Sequence, residues 1–253
     1  MARRDSYAPG TPSWVDLAVD DLEGARAFYT ELFGWEADVS EDPAVGGYTT
    51  FRQDGLAVAG VGGKMGPPMP DAWSVHMSVA DAAQALAAVA DAGGQVVAGP
   101  MPILDEGVLG IFADPNGTFA GVWEAKAHTG AELVNVPNTF CWSELATGDI
   151  AAAVAFYTTV FGWQAGAGEG EGMVFTDAAG RALCGVHVAG EQEFPAWSVW
   201  FAVEDCDSTV DRVTSAGGQV FMPPTDMGFG RGSVVAAPGG AVFGVAALTA
   251  PDD

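Results

Sequence analysis

The chain has 253 residues and a formal net charge of −24, from 33 acidic and 9 basic residues. So acidic a surface repels phosphate backbones, which argues against nucleic acid as a partner. No segment approaches the roughly 18 consecutive apolar residues of a membrane span, and the first residues lack the apolar core of a secretory signal. Three cysteines without CxxC spacing are typical of reduced thiols. We therefore expect a cytoplasmic monomer or homodimer that does not bind membranes.

The dominant feature of the sequence is an internal repeat. WVDLAVDDLEGARAFYTELFGW at 14–35 returns as WSELATGDIAAAVAFYTTVFGW at 142–163, and the block DAWSV at 71 returns as PAWSV at 195. The offsets are 142 − 14 = 128 and 195 − 71 = 124, so only short loop changes separate the copies. The repeat predicts an N-terminal arm (1–11), a domain at 12–125, a linker at 126–137, a second domain at 138–248 and a tail at 249–253.

Each half contains the same smaller unit twice, a strand followed by an aspartate and a helix. The strands alternate with period 2, so Val15 and Val75 lie on the face that packs against the helices. The alternate residues face the other way: Trp14, Asp16, Ser74 and His76 in the first half, and Trp142, Glu144, Ser198 and Trp200 in the second. Aspartates stand where each helix begins and are predicted to cap it: Asp21, Asp81, Asp149 and Asp205.

The order of motifs in this sequence resembles that of the vicinal oxygen chelate superfamily, which includes glyoxalases, bleomycin-resistance proteins and extradiol dioxygenases. The motifs are a strand, then Asp-Leu or Asp-Ile, then a helix with FYxxxFGW, then AGGQV and DPNG. The resemblance spans about 12–125 and 138–248, and is strongest to two-domain actinobacterial proteins described as glyoxalase-like or hydroxylase-like. It implies an α+β fold in which four βαβββ units form two curled mixed sheets. The sheet face opposite the helices would be the functional face; we call it cup 1 in the first domain and cup 2 in the second.

The resemblance also implies a metal held by one ligand from each of four strands. In this sequence those positions fall on residues that make poor ligands: Trp14, Gly60, Ser74 and Gly121 in the first half, and Trp142, Gly185, Ser198 and Gly244 in the second. Indole and glycine offer no side-chain lone pair to a divalent ion. We therefore expect no metal and no other cofactor.

Aromatic and small polar residues occupy the two cups instead. Trp14, Trp123 and Ser74 are expected in cup 1, and Trp142, Trp200 and Ser198 in cup 2, as walls for a flat organic molecule. The competing interpretation is that the tryptophans simply fill the cups as core.

Two carboxylates at the repeated position are candidate catalytic groups. Asp16 and Glu144 could serve as general bases, with His76 beside Asp16, or could form only structural hydrogen bonds. His128 in the linker is expected to be solvated, His187 has no context that singles it out, and Arg231 is expected at the surface.

Three functions compete at this point. The first is metal-independent binding of a small hydrophobic or aromatic molecule, for sequestration or as an accessory to biosynthesis. The second is a metal-free lyase, isomerase or hydroxylase-type enzyme that acts on an aromatic substrate through Asp16 or Glu144. The third is a metal-dependent glyoxalase or dioxygenase with unusual ligands such as Asp16 and His76. Site chemistry must decide, because the fold alone does not fix a function.

Overall fold

A computed structural model describes residues 3–64, 69–168, 172–191 and 193–249. The predicted tail therefore lies outside the described residues except for Thr249, as do the first two residues of the arm. The first domain contains β1 (Pro12–Val19), α1 (Leu22–Phe33), β2 (Glu36–Val39), β3 (Thr49–Gln53), β4 (Leu56–Gly63), β5 (Ala72–Val79), α2 (Ala82–Asp91), β6 (Gln95–Ile103), β7 (Gly107–Ala113) and β8 (Phe119–Ala125).

The second domain repeats this order of elements. It contains β9 (Phe140–Thr147), α3 (Ile150–Phe161), β10 (Gln164–Ala167), β11 (Met173–Thr176), β12 (Ala182–Val188), β13 (Ala196–Ala202), α4 (Cys206–Ser215), β14 (Gln219–Met227), β15 (Gly230–Ala236) and β16 (Val242–Leu248). Each domain thus consists of two βαβββ units, as the repeat predicts.

The strands of each domain form one eight-stranded mixed sheet. The strand orders are β2-β3-β4-β1-β5-β8-β7-β6 and β10-β11-β12-β9-β13-β16-β15-β14. At the centre of the first sheet β1 pairs antiparallel with β5, while β4 runs parallel to β1 and β8 parallel to β5. This arrangement confirms the predicted α+β fold of four units and two mixed sheets.

The helix boundaries follow local chemistry. Each of the four aspartates predicted to cap a helix does so, because its carboxylate accepts the backbone N–H three residues along. Gly34 and Gly162 end α1 and α3 in the left-handed conformation, with φ of 72° in both, which glycine adopts without steric cost. The aspartate and glycine caps therefore fix where α1 and α3 begin and end.

The helix-facing sides of the two sheets share a single core. Val15 and Val75 are fully buried on that side, as the alternation predicts. Aromatic rings connect the domains across it: the rings of Trp73 and Phe201 lie 5.0 Å apart and those of Tyr29 and Phe243 lie 5.6 Å apart. Because this core occupies the helix side of both sheets, the two cups face away from it.

The arm and the linker pack together beside the first sheet. Tyr7 donates its hydroxyl hydrogen to the carbonyl of Ala131 at 2.6 Å, and the backbone N–H of Ala131 donates to Ser13 O at 2.8 Å. The arm also reaches the second domain, where Trp163 donates to Gly10 O at 2.7 Å. Among the described residues, no helix has the length and apolar character needed to cross a membrane.

Candidate functional site

Cup 1 contains a carboxylate–imidazole pair. Asp16 on β1 and His76 on β5 lie on the same face, and Asp16 Oδ1 is 2.9 Å from His76 Nε2. A carboxylate accepts, so Nε2 carries the hydrogen of this bond. The imidazole is 3% exposed, and its Nδ1 is buried without a partner among the described residues. The pair is therefore largely closed off from solvent on the His76 side.

Tyr48, just before β3, extends the polar network of cup 1. Trp14 donates its indole N–H to the Tyr48 hydroxyl at 3.0 Å, and that hydroxyl donates to Asp16 Oδ2 at 3.5 Å. Burial and the nearby Asp16 charge raise the pKa of Tyr48 well above its ordinary value, so its hydroxyl remains protonated. No sequence motif marks this residue; the pairing of β3 with β4 brings it into the cup.

The linker closes cup 1, which corrects the expectation that His128 is solvated. The imidazole of His128 lies edge-on to the indole of Trp14, and the centroids of these two rings are 4.3 Å apart. The centroid of the imidazole lies 5.7 Å from the ring centroid of Trp123. Trp123 also donates to His128 O at 2.8 Å. Burial lowers the pKa of His128 to about 4, so the ring is neutral at physiological pH. Cup 1 is thus filled by its own side chains, with Trp14 only 4% and Trp123 7% exposed.

Cup 2 contains a longer chain of hydrogen bonds. Trp142 donates its indole N–H to Glu144 Oε2 at 2.9 Å, and Glu144 Oε1 lies 3.2 Å from His187 Nδ1. The other imidazole nitrogen, Nε2, lies 3.1 Å from both carboxylate oxygens of Glu193. The hydrogen bond to Glu144 is the main cause that raises the pKa of His187 to about 9, so His187 is protonated at neutral pH.

His187 has a role in the site that the sequence analysis did not assign to it. It lies on β12 two residues after Gly185, and Gly185 pairs with Glu144 on the neighbouring strand. Period-2 alternation from Gly185 would have placed His187 on the cup face. Glu193 carries no such signal, because it follows β12 in a loop.

Half-buried aromatic rings surround this polar chain in cup 2. The rings of Trp200 and Phe229 meet edge to face, with centroids 6.0 Å apart, and Phe229 is 40% exposed. The indole of Trp200 donates to Ser198 Oγ at 3.3 Å, and Ser198 donates to the carbonyl of Glu144 at 3.3 Å. In contrast to cup 1, the second cup leaves both its tryptophans partly accessible.

Ser74 lies on β5 opposite Asp16, at the cup 1 position that corresponds to Ser198. Arg231 lies at the surface, as expected, and its guanidinium is paired with Asp207 and Asp226. The positive charge of Arg231 is therefore neutralised by these two aspartates and not by the carboxylates of cup 2.

The residues at the family's metal-ligand positions do not fit a metal. A side chain at Gly121 would overlap the imidazole of His76, and one at Gly185 would overlap the carboxylate of Glu144. Gly60 and Gly244 are filled in the same way by Tyr48 and Trp200. The space of the family's carboxylates is thus taken by neighbouring side chains.

The remaining acidic and imidazole groups do not replace that ligand set. Within the described ranges, no group of three or more His, Cys, Asp or Glu side chains could hold a metal ion. In cup 2 the two carboxylates bind opposite nitrogens of His187, so these three side chains do not converge on one point.

Two tandem βαβββ pairs, each with a cup opposite its helices, define the class of protein. The family model described as Glyoxalase/Bleomycin resistance protein/Dioxygenase superfamily matches residues 11–120 and 137–245. The chain belongs to this superfamily.

Among its relatives is "Anthracycline biosynthesis protein DauV" from Streptomyces sp. (strain C5). It is 39% identical over an alignment 263 residues long, and the alignment covers 96% of this chain and 94% of the relative.

Two solved structures share the fold. The Mn(II)-bound glyoxalase from Novosphingobium aromaticivorans has a TM-score of 0.66 at 17% identity, with 98% of this chain and 83% of that chain covered. The 2,3-dioxygenase LapB from Pseudomonas sp. KL28 has a TM-score of 0.63 at 16% identity, with 96% and 94% covered. At such identities the likeness concerns the fold alone.

Proposed function

We propose that this protein binds a small hydrophobic or aromatic molecule in cup 2 without a metal, either to sequester it or to assist a biosynthetic pathway. The observation that carries the proposal is the difference between the cups. In cup 1 the walls Trp14 and Trp123 are buried under His128, whereas in cup 2 Trp142 and Trp200 stay partly accessible beside the exposed ring of Phe229.

The chemistry of cup 2 supports this proposal. Aromatic walls offer a large apolar area and prefer flat partners that stack or meet them edge-on. A few polar groups within such walls usually orient the ligand. Glu144 is suited to that role because its side chain is 25% exposed and hydrogen-bonded to the wall residue Trp142.

The name of one relative supports a place beside a biosynthetic pathway. DauV is named for anthracycline biosynthesis and is similar to this chain over nearly its whole length. The misfit between the metal-ligand positions and a metal supports a role that does not depend on one.

Equilibrium dialysis against 2-naphthol, a flat uncharged aromatic probe, tests the proposal. Trp142→Ala should weaken binding by a factor of about 30, since truncating a central aromatic contact commonly costs about 2 kcal/mol. Phe119→Ala, which removes a half-exposed ring from the first domain, is the matched control and should leave binding unchanged. Equal losses in the two variants, or no binding by the wild type, would contradict the proposal.

A second candidate is a metal-free lyase, isomerase or hydroxylase-type enzyme that uses Asp16 or Glu144 as a base. It is favoured by one observation: each cup pairs its carboxylate with an imidazole, at 2.9 Å in cup 1 and 3.2 Å in cup 2. Glu144→Gln separates the candidates. An enzyme would keep its affinity and lose turnover, whereas a binding protein would lose a modest part of its affinity.

A further inference from the structure

The hydrogen-bond donors on the polar wall of cup 2 are already used within the protein. Trp142 gives its only N–H to Glu144, and Trp200 gives its only N–H to Ser198. Ser198 in turn gives its hydroxyl hydrogen to the carbonyl of Glu144. An indole has one donor and a serine hydroxyl has one, so none of these three side chains has a hydrogen left for a ligand.

The hydrogen-bond donors of His187 are also used within the protein. In the protonated form it has two N–H donors and no acceptor. Glu144 lies at one nitrogen and Glu193 at the other, so both donors are taken. A neutral ring would turn a lone pair toward one of the carboxylates, which would be unfavourable. The imidazolium therefore links the two carboxylates and offers nothing to a molecule in the cup.

The acceptors of cup 2, in contrast, are only half used. Among the described residues, each oxygen of the Glu144 carboxylate accepts one hydrogen bond; since each has two lone pairs, these bonds leave one acceptor site on each oxygen. Glu193 is 46% exposed at the rim. No Lys or Arg side chain among the described residues is bonded to either carboxylate.

We propose that cup 2 selects flat aromatic molecules that carry hydrogen-bond donors, as hydroxyl or protonated amino groups, and rejects the matching carboxylates. This inference rests on the proposed function and specifies its ligand. A donor group finds a free, charged acceptor at Glu144, and hydrogen bonds to charged groups are the strong ones. A ligand carboxylate meets two protein carboxylates and, among the described side chains of the polar wall, no free donor.

Four naphthalenes that differ in one substituent test the proposal by equilibrium dialysis at pH 7. They are 2-naphthol, 2-naphthylmethylamine, 2-methylnaphthalene and 2-naphthoate. We expect the naphthol or the amine to bind at least about tenfold more tightly than the methyl compound, and the naphthoate more weakly than the methyl compound. The hydroxyl and amine arms show which donor fits better.

Glu144→Gln tests whether Glu144 causes the preference for the donor probes, because the amide has the size of the carboxylate but carries no charge and adds donors. It should abolish the preference for the donor probes while 2-methylnaphthalene still binds. One variant serves as the control and should keep the preference: Glu191→Gln removes an equal charge from the loop next to β12.

The outcomes separate this inference from the proposed function. If 2-methylnaphthalene binds as tightly as the donor probes, or if naphthoate binds best, the donor rule is overturned and an aromatic binding function stands. If none of the four probes binds, both are overturned. A preference that survives Glu144→Gln overturns the assignment to Glu144.

Discussion

Glu144 accepts the indole N–H of Trp142 at 2.9 Å, although the two residues lie only two positions apart on one strand. At the repeated position in the first domain, Trp14 donates to Tyr48 instead. Glutamate has one methylene more than Asp16, which allows its carboxylate to reach the neighbouring indole. The indole of Trp142 in cup 2 is therefore oriented by the same carboxylate that, in our proposal, receives the hydrogen-bond donor of the ligand.

Truncating the two repeated tryptophans should affect stability differently. Trp14→Ala removes a buried ring packed against His128, and should lower the free energy of unfolding by about 3–5 kcal/mol. Trp142→Ala removes a half-buried ring and should cost clearly less. Urea unfolding, monitored by circular dichroism, measures the free energy of unfolding of both variants. Equal costs would show that cup 2 is as closed as cup 1.

Stability should fall at alkaline pH because of His187. The pKa of this group is raised to about 9 in the folded state from an unfolded value near 6.5. Its stabilising contribution is therefore complete below pH 6.5 and is lost as the pH rises through 9. Because the side chain is partly exposed, we expect a loss of about 1 kcal/mol relative to His187→Gln.

Proton NMR of the imidazole C–H signals checks the titration directly, since the chain has three histidines. The signal that disappears in His187→Gln should titrate near pH 9. A midpoint near 6.5 would show that the bonds to Glu144 and Glu193 do not hold the imidazolium in solution.

Acid should destabilise the protein through His128. Its folded pKa is lowered to about 4, so protonation favours the unfolded state, and stability should fall as the pH drops from 6.5 toward 4. The loss should amount to about 2–3 kcal/mol. In His128→Phe an aromatic ring that does not titrate replaces the imidazole, whose Nε2 has no partner in the described part of the chain.

Unfolding in urea at pH 6.5 and pH 4.5 compares wild type with His128→Phe. The variant should lose less stability between the two pH values than the wild type does. Identical losses would mean that carboxylates elsewhere, and not His128, cause the acid sensitivity.

Ligand binding should not depend on a divalent metal. Protein incubated with Mn(II), Ni(II) or Zn(II) and then passed through gel filtration should retain far less than one ion per domain, because neighbouring side chains fill the ligand positions. Dialysis of 2-naphthol with and without EDTA should give the same affinity. About one retained ion per domain, with affinity lost in EDTA, would overturn this expectation.

The sequence by itself determined the duplication, the four units and the faces of the strands. These features are local or periodic: a strand alternates every two residues, and an aspartate at a helix start caps the N–H three residues along. For the same reason Asp16 and His76 could be predicted on one face. The tryptophan, glycine and serine residues at the family's metal-ligand positions could also be predicted, because the resemblance to the superfamily places those positions relative to motifs that the sequence contains.

Only the tertiary structure decided which cup leaves its tryptophans partly exposed and which polar groups meet in each cup. Trp14 and His128 are 114 positions apart, and their contact depends on the path of the linker over the first sheet. Glu144 and His187 meet because β9 and β12 pair in parallel at one register. A shift of one residue would turn His187 to the other face. Such contacts arise from strand pairing and chain path, which no local pattern in the sequence encodes.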